Sequence, residues 1–264
     1  MTGERYRTMD SDALSPGMLG TIRNALRLME LLTVGPAYQH LNELAERSGL
    51  TPPTVHRLLR SLTVGGLVTQ HPDSLRYSLG PELVRLSHQY LMRQPVVQAL
   101  SPYLVELRKA TKATIQLALL VHGSVVYVDR VDGEHASGLY RVSHRVHPAL
   151  DTAAGRVLLA RAGLEVWKEV LERPSSNGLT PDGCYPDNLT QEAWAQAPYL
   201  VLSDPFFPDS VEVAVPVTDR HGRALASLSA TDHNERFTAT TVTERIVPHL
   251  LRATDAVRET ITRG

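Results

Sequence analysis

Thr54, His56, Arg57, Arg60 and Ser61 crowd into one short stretch of this chain. Two guanidiniums, an imidazole and two hydroxyls at that density suit contact with phosphate oxygens and base edges. Arginine in particular pairs bidentately with guanine or with phosphate. The alternative is a solvated helix face in a small protein-interaction domain. A second group, His144, His147 and Asp151, has half the spacing of a metal site. No second ligand pair stands at a familiar distance, and no nucleophile elbow or glycine-rich phosphate loop accompanies it. Cys184 is the single cysteine, which excludes an intramolecular disulfide and a cysteine-rich zinc module. Neither a metal site, a cofactor nor catalysis is expected.

The basic cluster needs a helix to carry it. Thr51 suits an N-cap and Pro52 the first helical position, so a helix is predicted from there to about Val64. Val55, Leu58, Leu59 and Leu62 form its apolar side, opposite the polar cluster. Before it, Ile22, Ala25, Leu26, Met29 and Leu32 mark the inward face of a helix from Thr21 that Gly35-Pro36 stops. A short helix over His40–Arg47 follows, with Leu41, Leu44 and Ala45 inward. Ser48-Gly49-Leu50 is the turn, where glycine supplies a positive φ. After Gly65-Gly66 come two short strands, Leu67–Gln70 and Arg76–Leu79, around a turn at His71–Ser74. Three helices and a hairpin in that order make a winged helix-turn-helix. Arg76 near the wing tip is a candidate phosphate contact. Between Pro52 and Gln94, Arg57, Arg60, Arg76, Arg85 and Arg93 outweigh Asp73 and Glu82. One such unit makes few contacts, so a dimer on a two-fold operator in double-stranded DNA is expected.

The remainder reads differently. Residues 1–17 are polar and are expected to be a mobile tail. A connector helix over residues 81–94 has Leu83, Val84, Leu86 and Tyr90 on one side, suited to pairing subunits. A longer helix then spans about Val96–Lys112. Strands are predicted at Thr114–Val121, Val125–Val131, Leu139–Ser143, Tyr199–Leu202, Val211–Val217 and Ala224–Ser229. A helix should begin at Asp151 or Thr152, and the last helix should cover about Ala239–Thr262. The fold class is therefore α+β, with residues 18–80 as the winged unit and 95–264 as a sensor-like domain. The 264 residues carry a formal net charge of -1, which excludes a protein basic throughout but permits a basic face. No signal-peptide core and no membrane-length apolar run is visible, so a cytoplasmic protein is expected.

Four segments together carry a resemblance. "NELAERSGLTPPTVHRLLRSLTVGGLV" (Asn42–Val68) closely resembles the IclR family of bacterial transcription regulators. "RYSLGPELVRLS" (Arg76–Ser87), "PALDTAAGRVLLA" (Pro148–Ala160) and "VAVPVTDRHGRALASLSA" (Val213–Ala230) are similar to the same family in order and spacing. The resemblance spans about residues 18–262. It implies a DNA-binding winged domain, a linker helix, a GAF-like effector-binding domain, dimers or tetramers, and a small-molecule effector.

The resemblance also implies a site. An effector carboxylate in this family is held by N–H groups at a helix N-terminus, here Ala153 and Ala154, where unpaired donors and the helix dipole favour an anion. Leu139, Leu202, Glu212, Ser229 and Thr231 occupy the other matching pocket positions. Phe206 and Phe207 could form a lid. Three positions depart from the family. Leu150-Asp151 stand where His-Ala is usual, Leu202 replaces an acid, and Glu212 replaces a cysteine. An ionised Glu212 would repel an anionic effector. An effector bearing hydroxyl or amine donors is therefore expected, with Glu212 at the pocket rim or in an ion pair as the alternative. A regulator with a degenerate, ligand-free sensor is the second functional reading, and an enzyme built on the C-terminal domain the third.

Overall fold

A computed structural model describes residues 18–136, 146–172, 191–203 and 209–262. The tail over 1–17, the strand at Leu139–Ser143, His144, Cys184, Phe206 and Phe207 lie outside the described residues. The chain divides into two compact units between Tyr90 and Leu91.

In the first unit, helices α1 (Gly20–Thr33), α2 (Leu41–Ser48) and α3 (Pro52–Val64) precede strands β1 (Val68–Gln70) and β2 (Tyr77–Leu79) and helix α4 (Glu82–Met92). The apolar side expected for α3 is the buried one: Val55, Leu58, Leu59 and Leu62. They meet Leu28, Leu31, Leu32, Leu44, Ala45, Val68 and Tyr77 in one core. Each such aliphatic side chain contributes roughly 1.5–3 kcal/mol by leaving water. The inward face of α1 differs from expectation. Leu28 and Leu31 are buried, whereas Ile22 and Leu26 are exposed. Leu19, Ile22 and Leu26 thus form an outward apolar stripe, and apolar spacing alone does not say which of two apolar faces packs.

The end of α1 is held by side chains rather than by Gly35-Pro36 alone. The Gln39 amide, almost fully buried, donates to the carbonyls of Leu31 (2.9 Å) and Pro36 (3.2 Å). Arg47 donates to the Val34 carbonyl at 3.0 Å and to Gln39 Oε1. These bonds satisfy carbonyls that a helix end leaves without partners. Gln39 also exchanges both backbone hydrogen bonds with Tyr77, at 2.9 and 2.8 Å, which fastens the hairpin to the helices. Gly49 has φ +67°, as the turn requires. The wing turn reaches further than expected, because Leu75 adopts a positive φ of 54° and stands exposed at the tip.

The second unit begins with α5 (Pro95–Thr111) and contains a six-stranded antiparallel sheet. Its strands are β3 (Thr114–Val121), β4 (Ser124–Val131), β5 (Val146–Pro148), β6 (Leu200–Ser203), β7 (Ser210–Thr218) and β8 (Ala224–His233), in the order β5-β4-β3-β8-β7-β6. Helix α6 (Ala153–Ala160) follows a single 3₁₀ turn over Ala149–Asp151. Then come α7 (Leu164–Glu172), α8 (Gln191–Gln196) and a closing helix, α9 (Val247–Thr262). Strand β5 and helices α7 and α8 fall where only loops were expected, since each is short or interrupted by polar residues.

Alternation assigns the two faces of the sheet. Ile115, Leu117, Val213, Val215, Leu228 and Ala230 pack on α5 and α9 with Leu100, Leu104, Ile246 and Leu250. Ala118, Val125, Tyr127 and Ala214 turn the other way, onto Ala153, Ala154, Val157 and Leu158 of α6. The closing helix is not uniform. A wider π-helical segment over Val242–Ile246 precedes Val247–Thr262. Pro248 accounts for it, because proline has no N–H to give the carbonyl four residues back.

Candidate functional site

Helix α3 brings the expected polar residues onto one outward face. His56, Arg57, Arg60 and Ser61 are exposed and Thr54 is half-buried. The Arg57 and Arg60 guanidiniums enter no ion pair among the described residues. Ser61 is less available as a donor, since its hydroxyl already donates to the Arg57 carbonyl at 3.0 Å. Thr51 does not cap with its side chain. Its hydroxyl lies 2.9 Å from that of Thr54; Pro52 and Pro53 have no N–H and the Val55 N–H donates to the Thr51 carbonyl, so the Thr54 N–H is the first-turn donor that α3 leaves uncapped among the described residues. Arg76 sits beside β2 rather than at the wing tip. Its Nε donates to His40 Nε2 at 2.9 Å, which holds the arginine against the N-cap of α2.

The second cluster lies on the α6-facing side of the sheet. Gly155 lets α6 approach the preceding turn, because a Cβ there would stand 2.2 Å from the Ala149 carbonyl oxygen. Thr152 caps the helix, accepting from the Gly155 N–H at 2.9 Å. The next donor meets a carboxylate. The Ala154 N–H donates to Glu212 Oε2 at 3.2 Å, and the Tyr127 hydroxyl donates to Glu212 Oε1 at 2.7 Å. Glu212 is 6% exposed, so it is not at a rim. It arrives from β7, opposite Leu202 on β6 and Thr231 on β8.

Around this carboxylate the sheet face is polar where most sheet faces of this depth are apolar. Ser229 pairs across to Gln116 on β3 and to Ala214 on β7, so it shares the face of Ala214 that packs on α6. Thr231, two residues on, shares that face. The Thr231 hydroxyl donates to Gln116 Oε1 at 3.1 Å. Ser229 is fully buried, and its Oγ has no hydrogen-bond partner among the described residues. Leu202 is half-buried against the same cluster and supplies an apolar wall. Leu139 lies outside the described residues.

Four further groups belong to this neighbourhood. Tyr127 and Gln116 escaped the sequence reading, although a lone amide within the apolar run of β3 was a visible signal. His147 on β5 is buried edge-on to Tyr127, with ring centroids 6.0 Å apart. Asp151, 5% exposed, leaves Oδ2 without a hydrogen-bond partner among the described residues. Burial pushes its carboxyl above the ordinary range, against the pull of Arg156. Among the described residues no group of three His, Cys, Asp or Glu side chains is placed to hold a metal ion. Nor, among them, is any helix long and apolar enough to cross a membrane.

Comparison with known proteins covers both units. Residues 21–72 match the IclR helix-turn-helix domain, and residues 88–259 match the bacterial transcriptional regulator IclR C-terminal domain. The transcriptional regulator KdgR of Escherichia coli is 30% identical over 206 residues, covering 75% of this chain and 76% of KdgR. The fold is shared with a crystal structure of an IclR regulator from Silicibacter sp. TM1040, at a TM-score of 0.74 and 24% identity over 92% of this chain and 96% of that one. It is also shared with an IclR homologue from Microbacterium hydrocarbonoxydans solved with 4-hydroxybenzoate, at a TM-score of 0.68 and 24% identity over 92% of this chain and 99% of that one. An outward basic helix with a wing in one unit and a polar sheet face under a capped helix in the other thus fit one assignment: the chain belongs to the IclR family of bacterial transcriptional regulators, DNA-binding proteins with a C-terminal effector domain.

Proposed function

We propose that the winged unit, over residues 18–80, reads a two-fold symmetric operator as part of a homo-oligomer, a dimer or a tetramer. Arg57 and Thr54 contact base edges, helped by His56. Arg60, Ser61 and Arg76 contact phosphates, and such contacts fix register while base contacts give sequence. Residues 81–94 connect it to the effector domain over 95–264. Its exposed Val84, Leu86 and Tyr90 suit a subunit contact. The protein works in the cytoplasm, where its operator is. The observation that supports the reading most is the outward face of α3, with two arginines that no carboxylate among the described residues neutralises.

A small molecule seated between α6 and the sheet face at Ala153, Ala154, Leu202, Glu212, Ser229 and Thr231 modulates operator binding; Leu139 completes the set. Half-site spacing is geometric, so a shift of a few ångströms between two winged units changes affinity. The unpartnered Ser229 hydroxyl supports a ligand there. The carboxylate already seated on Ala154 supports a second reading, a sensor that binds nothing. Mapping bound DNA across the genome, followed by gel shifts with and without metabolites of the neighbouring operons, tests both. A ligand that changes operator affinity establishes the sensor, and a chain that retains no operator ends the reading altogether.

A further inference from the structure

The bridge between Gln39 and Tyr77 fixes a register as well as fastening the hairpin. The two residues pair antiparallel, so their flanking residues face each other in turn. His40 stands opposite Arg76, and Tyr38 opposite Ser78. Side chains alternate across such a pairing. Gln39 and Tyr77 are buried, so His40 and Arg76 turn outward together, and both are exposed. Residues directly opposite in an antiparallel pair have Cβ atoms about 4.5–5.5 Å apart, close enough for their side chains to meet.

These two meet through a hydrogen bond. Arg76 Nε donates to His40 Nε2 at 2.9 Å. A ring nitrogen that accepts carries no proton, so the histidine meets the arginine as a neutral ring and not as a second cation. Both ends of the bond are anchored. The Arg76 carbonyl accepts from the His71 N–H at 2.9 Å, and the next residue, Tyr77, is bonded to Gln39 through both its N–H and its carbonyl. His40 is the N-cap of α2. Its N–H donates to Glu43 Oε2 at 2.8 Å, and its carbonyl accepts from the Leu44 N–H at 3.1 Å.

The bond leaves the far end of the arginine open. A guanidinium has five N–H groups in a rigid fork, and Nε carries one of them. The four on the two terminal nitrogens have no partner among the described residues, and no carboxylate among them neutralises the charge. Two parallel N–H groups are what a phosphate accepts from. A long side chain that becomes ordered only on binding weakens binding by the freedom it loses, and one ordered beforehand does not.

We propose that His40 is a positioning residue for DNA binding. It holds the Arg76 guanidinium by Nε, so that the two terminal nitrogens stand ready for one backbone phosphate. The inference rests on the reading of Arg76 as a phosphate contact and adds the residue that prepares it. His40 itself touches no phosphate.

Fluorescence anisotropy of the full chain with a labelled random-sequence duplex tests this, because phosphate contacts do not depend on sequence. His40→Ser keeps a good N-cap but is too short to reach Arg76. His40→Gln is a poorer cap, yet its amide oxygen reaches Nε and accepts from it. A capping role therefore ranks serine above glutamine, and a positioning role ranks glutamine above serine. His40→Ser should weaken binding about twofold to tenfold per subunit, the equivalent of about 0.5–1.5 kcal/mol for ordering one long side chain. His40→Gln should bind within about twofold of the wild type. In an Arg76→Ala background, His40→Ser should weaken binding no further. That cycle needs only the serine variant, so it decides the matter even where glutamine destabilises α2. An equal loss in both backgrounds makes His40 a contact or a structural residue in its own right and overturns the proposal. A folded His40→Ser that binds like the wild type, or better than a folded His40→Gln, overturns it too. Failure of the underlying reading shows differently: Arg76→Ala then leaves affinity and its salt dependence unchanged, and both readings fall.

Discussion

Helices α3 and α6 begin alike and end up with opposite uses. Each starts after a threonine, Thr51 or Thr152, but Pro52 and Pro53 remove two first-turn N–H donors from α3, whereas α6 keeps all of its own. Around α3 the threonine bonds sideways to Thr54, and the start of the helix is exposed. Around α6 the threonine caps Gly155, Glu212 takes the Ala154 N–H, and the whole turn is buried. A donor-poor helix start therefore faces outward in the unit that reads DNA, and a donor-rich one faces inward in the unit that houses the effector domain. What differs is whether the fold supplies a partner. An exposed helix end such as that of α3 can do without donors or leave a single one to water. A buried one cannot, because an unsatisfied N–H away from water costs about 1–3 kcal/mol.

The contrast breaks most visibly at two glycines. A Cβ on Gly80 would stand 2.1 Å from the Gly66 carbonyl oxygen, and one on Gly155 2.2 Å from that of Ala149. Neither backbone atom can yield cheaply, so each alanine variant should lose about 3 kcal/mol or more. Calorimetry should show Gly80→Ala melting the winged unit and Gly155→Ala the effector unit. If either variant melts like the wild type, the close approach is not structural.

Arg57→Ala comes next. A bidentate base contact is worth about 1–3 kcal/mol in discrimination, and a two-fold operator counts it twice. Gel-shift affinity should fall between about 30-fold and about 20,000-fold, and sequence preference should relax. An unchanged affinity would take Arg57 off the interface. Arg76→Ala should act more weakly and equally on all sequences. The slope of log affinity against log salt should fall by about 1 per subunit, as for one lost phosphate contact. A change in sequence preference instead would move Arg76 from positioning to readout.

Asp151→Asn is the smallest change, and it sharpens the inward half of the contrast. Burial raises the Asp151 carboxyl in the folded chain, so the folded state favours the protonated form. Its contribution is present below the ordinary aspartate value of about 3.9 and is lost as pH rises through the raised one. Asparagine should therefore stabilise the effector unit at neutral pH, with the gain fading near pH 4. Urea midpoints at the two pH values check this, and a gain that does not vary with pH would show that charge is not the cause.

Legibility in the sequence followed the same division. Val55, Leu58, Leu59 and Leu62 repeat at helical spacing next to a cap and a proline, so α3 and its outward face were plain. Strands β3, β4 and β7 were plain for a similar reason, being long apolar runs between turns. Strand β5, at Val146–Pro148, was not, since three residues carry no period. The outward stripe of α1 misled, because Ile22 and Leu26 are as apolar as the residues that pack. Glu212 stood out as a charge in an apolar strand, but its partners could not be read. Tyr127 and Ala154 lie 85 and 58 residues away and meet it only through the sheet and the helix above it. Pairings across such separations depend on strand order, which local pattern does not contain.

Gln39 carries a mechanical consequence. Its side chain is bonded to the last carbonyls of α1, and its backbone is bonded to Tyr77 in the wing. One residue thus works as a rivet between two levers. A torque applied to α1 reaches the wing through Gln39 as well as through the core that Tyr77 and Val68 share with α1 and α3. The wing, α1 and α3 are therefore coupled, and a push on one is felt by the other two.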